Sequence, residues 1–163
     1  MSRSSSYSFE QFKPLIIITA VIIVLTVLLQ LFHGFTTSGF MLDFMGVFFL
    51  VFGAFKLANV SAFAKAYKQY DLITQQFPLW GYLYPFIEVT LGVAYLFRFN
   101  IYLISAITLI LMIIGSIGVY RKLKKKETIA CACLGTVFKL PMTYVTLAED
   151  LIMALMAGYM LIF

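Results

Sequence analysis

Charge is what this chain has least of. Charged residues make up 12% of its 163 residues, against ~25% in an ordinary soluble domain. Hydrophobic residues fill 63% of it, against the usual ~45–50%. A mean hydropathy of +0.99 leaves too little polar surface to wrap so apolar a core in water. A soluble enzyme, a disordered chain and a nucleic-acid-binding domain are therefore excluded. The net charge of +5 does not restore an acidic partner, because five of the twelve Lys and Arg residues crowd between Arg121 and Lys126 and so belong to one loop. Two cysteines are too few for a disulfide scaffold. Nor does any nucleophile–base pair or cofactor loop mark the chain as an independent enzyme. What remains is an all-α integral membrane protein whose first partner is the lipid bilayer.

Crossing a ~30 Å hydrocarbon layer takes roughly 20 mostly apolar residues in a helix. Five stretches come close: Leu15 to Phe32, Met41 to Asn59, Leu79 to Phe97, Phe99 to Tyr120 and Met142 to Phe163. Pro14 suits a helix start before the first, whose apolar run exceeds that of a cleaved signal peptide. The chain thus divides into a polar tail (1–13), an amino-terminal anchor and turn (14–40) and a bundle (41–163). Within the bundle lie an amphipathic helix at about 60–77 and a cysteine loop at about 121–141. In the former, Phe63, Tyr67, Tyr70 and Phe77 recur at helical spacing opposite Lys65, Lys68, Gln69, Gln75 and Gln76. Such a helix lies in the headgroup plane or packs as a connector on the bundle.

Cationic loops translocate poorly. With five spans, Arg3, Lys13, Lys65, Lys68, the Arg121–Lys126 cluster and Lys139 share one side, and Arg98 stands on the other. This predicts a cytoplasmic amino terminus. Small residues at Gly46 and Gly53, Gly115 and Gly118, and Ala154 and Gly158 suit close helix packing.

Glu88, at the midpoint of the third stretch, is the most costly side chain. A mid-membrane carboxylate costs about 2.5–3.5 kcal/mol on insertion scales, so it should face the interior with a partner or a proton. Lys56 is the candidate partner; its stem could turn inward to Glu88 or outward to the interface. The pair could lock two helices, hold a ligand or relay a proton. Asp43 falls at the start of its stretch, where helix amides favour an anion. Thr146 and Glu149 have capping-box spacing, which would place Glu149 and Asp150 in a first helical turn. His33 reads as an interfacial residue.

Cys131-Ala-Cys133-Leu-Gly135 is the sharpest local signal. On a helix, residues i and i+2 project about 200° apart, so the thiols could not meet. In an extended or turning segment they approach disulfide geometry with strain, which makes the bond more oxidising. Gly135 and Pro141 favour such an irregular segment, and the basic run upstream favours the thiolate. The pair is a candidate redox couple or, more weakly, a soft-metal site for Cu(I). The alternative is two small buried hydrophobes. No other cofactor is indicated.

Several stretches in order resemble the MauE/DoxX-like bacterial membrane proteins: Gly46-Val-Phe-Phe-Leu-Val-Phe-Gly53-Ala-Phe-Lys56-Leu, Phe63-Ala-Lys-Ala-Tyr67 with Tyr70-Asp71-Leu-Ile, Pro85-Phe-Ile-Glu88-Val-Thr-Leu-Gly92, and Cys131-Ala-Cys133-Leu-Gly135. The resemblance spans about 41–163. It implies a four-helix DoxX-like bundle, here with an extra amino-terminal transmembrane helix, around Lys56 and Glu88. It also implies a redox-associated accessory protein of the bacterial cytoplasmic membrane that works with a thioredoxin-like protein or another membrane protein to mature a client. The cation count sets the cysteines on the cytoplasmic side, where thiols stay reduced; external disulfide exchange would need inverted topology or re-entry of Thr128–Pro141. The rival functions are a small transporter or ion-handling protein using Glu88, and a structural membrane partner without chemistry.

Overall fold

The computed structural model describes residues 9–125, 130–131, 140–141 and 144–163, with side chains from 13 to 125 and from 144 onward. Seven helices run in the order α1 (Phe9–His33), α2 (Thr37–Leu57), α3 (Val60–Tyr67), α4 (Leu72–Gln76), α5 (Pro78–Leu96), α6 (Ile101–Lys124) and α7 (Tyr144–Ile162). Between α6 and α7, β1 (Ala130–Cys131) pairs antiparallel with β2 (Leu140–Pro141), Cys131 opposite Leu140. The protein is an all-α membrane protein. Four helices are long and apolar enough to cross a bilayer: residues Lys13–His33 of α1, and α2, α6 and α7. The fifth long helix, α5, has 19 residues but carries Glu88, tyrosines and two prolines that lower its hydropathy.

The sequence ends each helix by local means. Thr36 accepts from the Gly39 amide at 3.0 Å to open α2, and Asn59 accepts from Ala62 at 3.0 Å to open α3. Asp71 opens α4, accepting from both the amide and the hydroxyl of Thr74 at 2.7 Å. Pro78 stands in the first turn of α5, where its missing N–H costs nothing. The reversal into α6 is so short that Arg98 (φ 55°) and Asn100 (φ 35°) both take left-handed backbone, and Asn100 caps α6 by accepting from Leu103 at 3.3 Å.

Helices α2 and α5 run antiparallel in tight register, as do the paired helices α6 and α7 of the opposite half. Glycine sets the first pairing. A Cβ on Gly92 would come within 2.9 Å of the Gly46 carbonyl oxygen and of the Leu50 amide, and one on Gly53 within 2.7 Å of Val89. In lipid this backbone approach matters because apolar side chains gain little by leaving acyl chains for one another. Phe49 stacks on Tyr95 and Phe48 on Phe52 in the same seam. Helix α1 packs on α2 through a narrow stripe of Ile22, Thr26 and Gln30, and its other faces leave Ile17, Val24 and Leu31 exposed to lipid.

Several sequence expectations shift. Helix α1 starts at Phe9, with Pro14 inside it rather than at its start. Helix α6 runs through Arg121 and Lys122 to Lys124, so the loop after it is shorter than supposed. The amphipathic stretch at about 60–77 forms two short helices that pack on α5. Phe63, Tyr67 and Tyr70 are buried, and only Phe77 of that aromatic set is exposed. Burial against the bundle, rather than the headgroups, absorbs its apolar face. Among the described residues, no atom lies within 4 Å of where a Cβ on Gly158 would be.

Candidate functional site

Polar side chains gather at opposite ends of the α2–α5 seam. At one end, Asp43 is fully buried and its carboxylate is ringed by donors. Arg98 donates to Oδ1 at 2.6 Å and Gln30 to Oδ2 at 2.5 Å, while His33 Nδ1 lies 3.5 Å from Oδ2. Asp43 is the seventh residue of α2, a full turn inside the helix, so helix-end amides do not account for it. It ties α1, α2 and the α5–α6 turn together. The signals for this lay in the sequence as Thr26 and Gln30, four residues apart in an otherwise apolar run, and in the antiparallel register that sets 43 against 98.

At the other end, Lys56 turns inward. Its Nζ donates to Glu88 Oε1 at 2.5 Å; the two side chains are only 8% and 3% exposed. The register explains the reach. Gly53 lies against Val89 and Pro85, so Lys56 is level with Tyr84 and its four-carbon stem spans one turn back to Glu88. On the way the ammonium sits 5.2 Å from the Tyr84 ring centroid and 5.5 Å from that of Phe63, within cation–π range. Glu88 Oε2 is buried and accepts no hydrogen bond from the described residues.

A cavity of about 40 Å³ adjoins this pair, lined by Lys56 with Glu149 and Asp150 of α7, Tyr67, Tyr70 and Tyr84. Here the capping-box expectation is corrected. Helix α7 begins at Tyr144, ahead of Thr146, so Thr146 is a buried residue inside the helix and not its cap. Glu149 and Asp150 are half-buried and line the cavity together with Lys56. Asp150 also approaches α6: a Cβ on Gly115 would stand 3.4 Å from its Oδ2. Spacing within α7 could not reveal this, because the partner lies 94 residues away on α2.

Of the cysteine segment, Cys131 lies on β1, and β1 packs beside α3, at the Lys56 end. Pro141 lies on β2. Cys133 and Gly135, and with them most of the stretch expected to re-enter the membrane, lie outside the described residues. Among the described residues no group of three His, Cys, Asp or Glu side chains could hold a metal.

A bundle of membrane-crossing helices with a buried Lys–Glu pair on its central seam defines a multi-pass membrane protein. The family model for methylamine utilisation protein MauE matches residues 35–163, and the chain belongs to that family. No curated protein and no solved structure matches it. The matched region begins just after α1 and leaves that helix outside it.

Proposed function

We propose that the protein is a redox-associated accessory protein of methylamine utilisation in a bacterial cytoplasmic membrane, with Cys131 and Cys133 as its thiol pair. The observation that carries this reading is the position of β1: the Cys131 strand lies against α3, whose Phe63 ring faces the Lys56 ammonium. The Cys131 strand and the buried pair thus share one end of the bundle. Support also comes from α6 ending at Lys124 and α7 starting only at Tyr144, so Cys131 is on a strand rather than on a helix that would hold the thiols apart. Residues 41–163 form the working bundle and residues 14–40 an anchor. Lys13, Lys65, Lys68 and the basic end of α6 set the cysteine end, and with it the amino terminus, in the cytoplasm. The partner is a thioredoxin-like or membrane protein whose maturation it assists.

The test is a gel-shift maleimide assay on the full chain in membranes. The expected result is that both thiols are modified after reduction, and protected after mild oxidation unless Cys131→Ser or Cys133→Ser removes the partner. Thiols that stay unreactive and unlinked under every redox condition would refute the reading.

A further inference from the structure

Lys56 of α2 lines the cavity with Glu149 and Asp150 of α7, and the same ammonium bonds Glu88 of α5, which is not itself a lining residue. The salt bridge satisfies one oxygen of Glu88 and leaves Oε2 without a donor among the described residues. Other titratable groups facing the cluster are Tyr67, Tyr70 and Tyr84, with Asp71 behind them engaged in capping α4. From α6 the described lining residues are Met112, Gly115 and Val119, which carry no charge. Among the described residues lining or adjoining the cavity, two negative charges therefore have no counter-ion. Surplus charge of this size inside a membrane protein must be met by a bound cation or by protons. The described residues present no metal-ligating trio, which favours protons.

Burial is graded. Glu149 and Asp150 are half-buried, whereas Glu88 is 2% exposed. The cavity of about 40 Å³ that Glu149 and Asp150 line with Lys56 has room for water, since one water needs ~10–15 Å³. Beyond Glu88, toward Arg98, the seam is shut: Tyr95 and Phe49 are fully buried and stacked, and the α2 and α5 backbones touch at Gly46 and Gly92. We propose that Glu88, Glu149 and Asp150 form a proton-loading site reached through the cavity from the α3 and α7 amino-terminal end alone. A proton taken from water at that end binds a carboxylate oxygen of Asp150 or Glu149 and passes to Glu88 Oε2 beside Lys56. This is independent of the cysteines.

Infrared spectroscopy of the full chain in lipid nanodiscs tests it. At neutral pH the protein should show a protonated-carboxyl stretch that disappears on alkaline titration and loses area in Glu88→Gln and in Asp150→Asn. Asp150→Asn, on the half-exposed face, keeps the test decisive if Glu88→Gln fails to fold. Identical bands in the parent and Asp150→Asn would overturn the proposal, as would a band that follows exchange of sodium for potassium instead of pH. In vesicles of uniform orientation, a pH step on the α3 side should change the band and a step on the Arg98 side should not. A response from the Arg98 side would overturn one-ended access.

Discussion

The two ends of the α2–α5 seam handle a buried acid in opposite ways. At the Arg98 end a single carboxylate, Asp43, meets an arginine, an amide and an imidazole, and all its charge is answered locally. At the Lys56 end, among the described residues, one ammonium serves three carboxylates and a buried oxygen is left over. A closed cluster of the first kind fixes geometry, holding α1 and the α5–α6 turn on α2. An open one holds less structure than it costs, and buried ionisable groups that stability does not explain mark function in membranes.

Substitutions can break or sharpen this contrast. The largest effect is expected for Lys56→Met, which strands Glu88 and should destabilise the fold by about 3–5 kcal/mol, read by thermal or detergent-induced unfolding. Adding Glu88→Leu should recover most of the loss, since a matched apolar pair replaces the ion pair. Arg98→Ala removes a charged donor from Asp43 and should cost about 1.5–3 kcal/mol in the same assay. Gly92→Ala should cost about 1–3 kcal/mol by forcing α2 and α5 apart, and should weaken the Lys56–Glu88 contact without touching either residue. His33→Ala is the smallest: the imidazole is half exposed and 3.5 Å from Asp43, so the loss should stay below about 1 kcal/mol. A larger loss there would show that the closed cluster depends on its outermost member.

Long apolar runs and the single carboxylate of the third stretch made the helices and the burial of Glu88 legible in the sequence, because membrane insertion acts on each segment alone. Lys56 was legible too, by depth on the adjacent antiparallel helix. The roles of Asp43, Glu149 and Asp150 were not. Local rules offered each an adequate explanation at a helix start, and only the tertiary register shows Asp43 bound by Arg98 and Gln30 and α7 bringing two acids to Lys56. Likewise the aromatic face of 60–77 signals an apolar surface to be covered, and sequence does not say whether lipid or Tyr84 covers it. Here Tyr67 lies against Tyr84 with ring centroids 4.7 Å apart.

The contrast between the two ends is tested most directly by counting protonated carboxyls, one acid at a time. Infrared spectra at neutral pH would be compared for Asp43→Asn, Glu88→Gln, Glu149→Gln and Asp150→Asn. The expected result is loss of protonated-carboxyl signal in variants of the Lys56 cluster and none in Asp43→Asn. A signal that vanishes with Asp43 and is indifferent to Glu88, Glu149 and Asp150 would contradict the account.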